Sequence, residues 1–107
     1  MNTIFNVANQ YGIDISSRSA AAELRGLVVS AVEQHQFVQL DFDGVRTISG
    51  SVADELFGLL ALTYGCEWFR KWISVTGLDE LPRKAAIEAI IYRLECRTDS
   101  TTHLELL

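Results

Sequence analysis

Two periodicities meet within the stretch 38–57, which constrains the fold more than any other part of the chain. Its first half alternates apolar and polar side chains, a period of two that predicts a β-strand with inward residues Val38, Leu40 and Phe42. Asp43-Gly44 then predicts a turn. The second half repeats apolar residues at helical spacing, at Val52, Leu56, Leu59 and Leu60. The stretch therefore predicts a strand, a tight connection and a helix N-terminus, a junction where α/β proteins bind ligands and partners.

The flanking sequence predicts further strands and helices in alternation. Short strands are expected at 3–7, with Ile4 facing inward, at 13–15 and at 71–76, and a turn at 9–12. The predicted helices begin at Ser17 or Ser19, near Ser51 and at Asp79. Their predicted buried stripes are Leu24, Leu27, Val28 and Ala31 in the first helix and Ile87, Ile90, Ile91 and Leu94 in the third. This order predicts an α/β fold with a mostly parallel or mixed sheet of about four strands and three main helices.

Length and composition limit the classes of function. The chain of 107 residues, 49% of them hydrophobic, predicts a single globular domain over 1–107, in which 97–107 forms an edge strand or a loose tail. A net charge of −5 with scattered basic residues argues against nucleic-acid binding. The sequence contains neither a signal peptide nor an apolar run long enough for a membrane span. Cys66 and Cys96 lack a C-x-x-C partner, so we expect reduced thiols in a cytoplasmic protein, with no cofactor and no metal.

The strand end admits an enzymatic interpretation. Leu40 to Val45 resembles the first motif of the haloacid-dehalogenase-like phosphatases, in which the first Asp is a nucleophile and the second a general acid or base. That resemblance implies a small Mg²⁺-dependent phosphotransfer enzyme using Asp41 and Asp43. However, no late paired-Asp motif follows to hold the ion. We therefore expect structural roles at the strand end for Asp41, Asp43 and Gly44, and no catalysis.

A second resemblance covers nearly the whole chain. The segments Asp41-Phe42-Asp43-Gly44-Val45 and Ile48-Ser49-Gly50-Ser51-Val52-Ala53-Asp54-Glu55-Leu56-Phe57 resemble the central motif of a bacterial STAS-like family of unknown function, related to anti-sigma factor antagonists. Ser17-Arg18 before the first helix also fits that family, whereas Val52 replaces its usual Phe. The resemblance implies a small layered STAS-like fold.

The resemblance also implies a regulatory module that acts through protein contacts. By motif position, Ser51 matches the serine that a partner kinase phosphorylates in the antagonists, and the expected contact surface is Ser51, Ser49, Gly50, Asp54 and Glu55. The implied partner is a histidine-kinase-like ATPase or an anti-sigma-like switch protein.

Three alternatives remain open at this point. Ser51 with Asp54 fits a capping box, so Ser51 could simply begin the helix. Asp54 and Glu55 could form the exposed rim of a partner-binding face, anchored by Phe57 or Trp72. The almost entirely apolar second helix also suits a self-associating scaffold, such as a homodimer.

Overall fold

The computed structural model of the chain describes residues 2–94 and Leu107, which fold as a mixed α/β structure with parallel sheets. The strands are β1 (Asn2–Asn6), β2 (Asp14–Ile15), β3 (Phe37–Asp41), β4 (Thr47–Ile48) and β5 (Ile73–Thr76). The helices are α1 (Val7–Tyr11), α2 (Arg18–Glu33), α3 (Gly50–Ala53), a π-helical segment (Asp54–Gly58), α4 (Leu59–Tyr64), α5 (Cys66–Trp72) and α6 (Glu80–Leu94). The predicted fold class is confirmed, although the strands divide into two sheets.

The predicted central strand is the middle of the larger sheet. That sheet has the order β1-β3-β5, and both pairs are parallel, with Phe5 opposite Leu40 and Leu40 opposite Val75. The two short strands β2 and β4 form a second parallel pair in which Ile15 lies opposite Ile48. Because parallel neighbours need crossover connections, α2 and the helices between β3 and β5 lie between paired strands in sequence.

Only one face of the larger sheet carries the core. Val38 and Leu40 of β3 are buried on that face, with Phe42 just beyond the strand, as predicted. The opposite face presents mostly polar side chains, and its apolar side chains Ile4 and Phe37 are exposed. The predicted inward orientation of Ile4 is wrong: it is 57% exposed, because it lies opposite Gln39 on this outer face.

The helix that follows the central connection is continuous over 50–64 and changes its winding in the middle. Gly50–Ala53 and Leu59–Tyr64 are α-helical, while Asp54–Gly58 is π-helical. Its side chain Phe57 packs on Phe42 with ring centroids 5.6 Å apart, and α2 and α6 contact its other sides. This arrangement explains why nearly the whole circumference of the helix is apolar.

At Gly58 this helix comes close to α6. A Cβ built on Gly58 would lie 2.8 Å from Asp54 Oδ1, 3.0 Å from Arg93 Cγ and 3.3 Å from the carbonyl oxygen of Ala89. The first distance is shorter than real Cβ contacts and the other two are tight, so a larger residue here would force Asp54, Arg93 or α6 to shift.

Several predicted boundaries were wrong. Residues 7–11 form one turn of helix that ends at Gly12, where a simple turn was expected. Lys71 and Trp72 end α5 rather than begin the third strand, which starts at Ile73. The core-facing stripe of α2 lacks Leu27, which is exposed. In α6 the buried positions are Pro82, Ala86, Ala89 and Ile90, so Ile90 of the predicted stripe is confirmed; α6 packs mainly on the helix over 50–64 and also contacts β4.

The alternatives for 97–107 fall outside the described residues, apart from Leu107, which packs against the core. Cys96 also lies outside them. Within the described part of the chain, no helix is both long and apolar enough to cross a membrane.

Candidate functional site

Ser49, and not Ser51, caps the helix. The Oγ of Ser49 accepts the backbone N–H of Val52 at 3.1 Å, and its own backbone is extended, as an N-cap requires. Ser51 lies in the first helical turn, is half-buried, and its Oγ contacts the Oγ of Ser49 at 3.4 Å. The predicted capping box from Ser51 to Asp54 is therefore wrong, because the helix begins two residues earlier.

The small sheet brings a second helix N-terminus beside the first. The backbone N–H of Ser49 donates to the carbonyl of Ile15 at 2.9 Å, and the Ser49 hydroxyl lies 3.4 Å from the carbonyl of Ser16. The next residue, Ser17, caps α2 by accepting the N–H of Ala20 at 3.2 Å, as predicted. The start of α2 therefore lies against the start of the helix over 50–64.

The carboxylates of Asp54 and Glu55 are held by arginines and do not form an exposed rim. Arg93 donates from Nε and Nη2 to the two oxygens of Asp54, both at 2.6 Å. Arg18 Nη1 lies 2.8 Å from Glu55 Oε1 and 3.6 Å from Asp54 Oδ2. Arg25 donates to the carboxylate of Glu55 and, at 2.7 Å, to its backbone carbonyl. The exposed fractions of the Asp54 and Glu55 side chains are only 19% and 12%.

These five residues form a cluster with an excess of positive charge. Two carboxylates, Asp54 and Glu55, face three guanidinium groups, those of Arg18, Arg25 and Arg93. The hydrogen bonds from Arg93 lower the pKa of Asp54, and those from Arg25 and then Arg18 lower the pKa of Glu55. We call this group the arginine–carboxylate cluster. It joins α2, the π-helical segment and α6 in the first turns after Ser51.

At the end of β3, the side chain of Asp41 hydrogen-bonds within the turn that follows it. Its Oδ1 accepts the backbone N–H of Asp43 at 2.9 Å, which is the local bond that a structural role requires. Gly44 follows with a φ of 90°, and Asp43 is exposed. Within 2–94 and at Leu107, no three His, Cys, Asp or Glu side chains are arranged to hold a metal ion.

The aromatic residues divide between core and surface. Phe57 is fully buried between Phe42 and Phe69, so its predicted role as a partner-binding anchor is wrong. Trp72 is half-buried and stacks on the exposed ring of Phe37, with centroids 5.0 Å apart. This pair lies at the amino end of the sheet, away from Ser51.

A groove extends from the helix start to α6. It is lined by Gly50, Asp54, Ala85, Glu88, Ala89 and Tyr92. Another cavity, beside Val52 and Leu56, holds only about 10 Å³ and is walled almost wholly by apolar side chains. The groove is thus the concave feature that adjoins the predicted site.

The three arginines of the cluster are the residues that sequence reasoning missed. Arg18 follows the cap of α2 and could have been noticed, since it belongs to the Ser17-Arg18 pair. Arg25 and Arg93 carry no local signal, because their partners lie 30 and 39 residues away.

One comparison with known proteins gives a match. A family model described as a STAS-like domain of unknown function (DUF4325) matches residues 20–81. Neither the curated proteins nor the solved structures include a match. The family match covers more than half of the chain, including the central strand, Ser49 to Ser51 and both acidic members of the cluster. The chain therefore belongs to the family of STAS-like domains of unknown function.

Proposed function

We propose that this chain is a non-catalytic, cytoplasmic regulatory module that binds another protein through the surface formed by Ser49, Gly50 and Ser51. Its partner is a histidine-kinase-like ATPase or an anti-sigma-like switch protein, and phosphorylation of Ser51 regulates the contact. Asp54 and Glu55 act from behind this surface by fixing the arginines, because their own side chains are largely covered.

The observation that carries the proposal is that Ser49 and Ser51 have different roles at the start of the helix. The Oγ of Ser49 accepts the capping bond, whereas the only side-chain hydrogen bond of the Ser51 Oγ within the described residues is the one with Ser49, at 3.4 Å. A hydroxyl that is not needed to begin the helix can be modified without removing a backbone hydrogen bond. The half-exposed position of Ser51 supports access by a partner.

The electrostatics also support a phosphate at this position. A phosphoserine adds a charge of about −2 at neutral pH, which two neighbouring carboxylates would repel. Here the three guanidinium groups of the arginine–carboxylate cluster outnumber those carboxylates. The N-terminus of a helix adds a favourable dipole.

The proposal excludes phosphotransfer by Asp41 and Asp43. It is supported by the hydrogen bond that commits Asp41 to the turn. Incubation with Mg²⁺ and a generic phosphate ester should therefore give no hydrolysis that depends on Asp41. The wild type and Asp41→Asn should behave alike. Turnover that depends on Asp41 would contradict the proposal.

The phosphorylation arm is tested with a partner captured from source cells and then purified. We expect the intact mass of the chain to rise by one phosphoryl group when the partner has kinase activity, and Ser51→Ala to prevent this. Ser51→Asp should change the affinity for the partner, measured by isothermal titration calorimetry. Ser30→Ala is the control, since Ser30 is exposed on α2 outside the surface. If Ser51 stays unmodified and Ser51→Asp binds the partner with unchanged affinity, the proposed regulation by phosphorylation is contradicted.

A further inference from the structure

We propose that the groove between the start of the helix over 50–64 and α6 binds a lysine or arginine side chain of the partner protein. The inference rests on the proposed function, because the groove begins at Gly50, within the proposed contact surface. It names the chemistry that the partner presents there: a cationic side chain on an exposed segment.

The floor of the groove is made of small residues. Gly50, Ala85 and Ala89 line it, and a Cβ placed on Gly50 would meet nothing within 4 Å. The floor therefore leaves room for a side chain from outside. The Cα and Cβ atoms of these small residues form an apolar surface. The aliphatic part of a lysine or arginine side chain can pack on such a surface while its charged end stays near water.

Glu88 supplies the negative charge for the end of such a side chain. It is 66% exposed, and Lys84 approaches it only at 4.0 Å from the next turn of α6. An exposed pair of that kind contributes little and gives way easily to a better partner. The second carboxylate of the groove, Asp54, is already bound by Arg93. The charge of Glu88 is therefore the one that an incoming cation would meet.

Tyr92 supplies an aromatic wall. It is 77% exposed, the largest exposed fraction among the large apolar and aromatic side chains of the described residues. A cation positioned over a tyrosine ring is attracted by it, and tyrosine is enriched among the residues that dominate protein interfaces. An acidic segment would instead face Glu88, and the net charge of −5 favours cationic partners at longer range.

A display library of random 12-residue peptides, selected on the immobilised full chain, tests this chemistry directly. We expect the selected peptides to be enriched in Lys and Arg. Their affinity should fall roughly tenfold in Glu88→Gln and in Tyr92→Ala, and further in Glu88→Lys. Gly50→Leu should fill the groove and weaken binding without unfolding the chain, as circular dichroism would show. Glu67→Gln is the matched control, because Glu67 is exposed on α5 and does not line the groove.

The outcomes separate the inference from the proposed function. Selection of acidic or purely apolar peptides, or of basic peptides that bind Glu88→Lys as well as the wild type, overturns the inference. A purified partner whose affinity depends on Gly50 and Ser51 but not on Glu88 overturns it too, and leaves the proposed function standing. A partner whose affinity is insensitive to both Gly50 and Ser51 overturns the proposed function itself.

Discussion

Arg93 binds both oxygens of Asp54 at 2.6 Å, and this bidentate pair joins α6 to the π-helical segment. The two residues are 39 positions apart in the chain. Arg93 follows Ala89 by four residues, and Gly58 follows Asp54 by the same interval, so the pair lies beside the contact of Gly58 with α6. Planar guanidinium and carboxylate groups fit each other in this geometry, which fixes orientation as well as distance.

The pair should therefore be coupled in its effect on stability. We expect Arg93→Gln and Asp54→Asn each to lower the midpoint of thermal unfolding, and the double variant to lower it by less than the sum of the two. The reason is that either single change leaves a half-buried charged group without its bidentate partner, and Asp54 then keeps only the longer contact with Arg18 at 3.6 Å. Lys84→Gln is the control, since its pair with Glu88 is exposed and should matter little. Additive effects in the double-mutant cycle would show that the two residues act independently.

Acid should weaken the arginine–carboxylate cluster. The folded-state pKa values of Asp54 and Glu55 lie below their ordinary values of 3.8 and 4.5, because arginines donate hydrogen bonds to the ionised forms. Their stabilising contribution is complete above those ordinary values and is lost as the pH falls through the lowered ones.

We therefore expect the free energy of unfolding of the wild type to decrease below about pH 5. The variant Asp54→Asn/Glu55→Gln should be less stable near neutral pH, and the difference from the wild type should narrow as the pH falls. Urea unfolding at a series of pH values measures this, with Glu67→Gln as the control. If the difference in the free energy of unfolding stays constant down to the lowest pH measured, these carboxylates are not responsible for the loss of stability in acid.

Gly58→Ala should destabilise the fold, whereas Gly50→Ala should not. The added methyl group at Gly58 would clash with the Asp54 side chain and crowd Arg93 and the carbonyl of Ala89 on α6, and overpacking of this kind costs about 1–3 kcal/mol. At Gly50 the methyl group would meet no atom within 4 Å, and alanine is the better helix former. Chemical denaturation of the two variants compares them directly. Equal effects would contradict the close packing of α6 on the π-helical segment.

Replacing each serine in turn tests which of them begins the helix. Ser49→Ala removes the oxygen that accepts the N–H of Val52 and should cost roughly 1 kcal/mol, the usual cost of losing an N-cap. Ser51→Ala should cost distinctly less, because Ser51 makes no capping bond. The order of the two unfolding midpoints in urea is the measurement. A greater loss of stability in Ser51→Ala than in Ser49→Ala would indicate that Ser51 is the N-cap.

Local sequence determined the elements whose interactions span only a few residues. The alternation of Val38, Leu40 and Phe42 predicts the central strand because strand side chains alternate in direction, and all three are buried. Ser17 predicts the start of α2 because a cap bond spans three residues. The family motif also predicts the neighbourhood of the site, since it runs through Ser49 and Ser51.

Tertiary structure alone decided which faces these elements cover and which charges they bring together. Hydropathy alone predicts that Ile4 faces the core, but the register of β1 on β3 places it opposite Gln39 on the outer face, where it is exposed. The buried residues of α6 depend on the elements on which it packs: Ile90 of the expected stripe is buried, whereas Ile87 and Ile91 are only half-buried and Ala86 and Ala89 are buried instead. From the sequence alone, Asp54 and Glu55 are expected to be exposed. In the folded chain, α2 and α6 place Arg18, Arg25 and Arg93 against them. An ion pair depends on distance in space, which periodicity and capping signals along the chain do not encode.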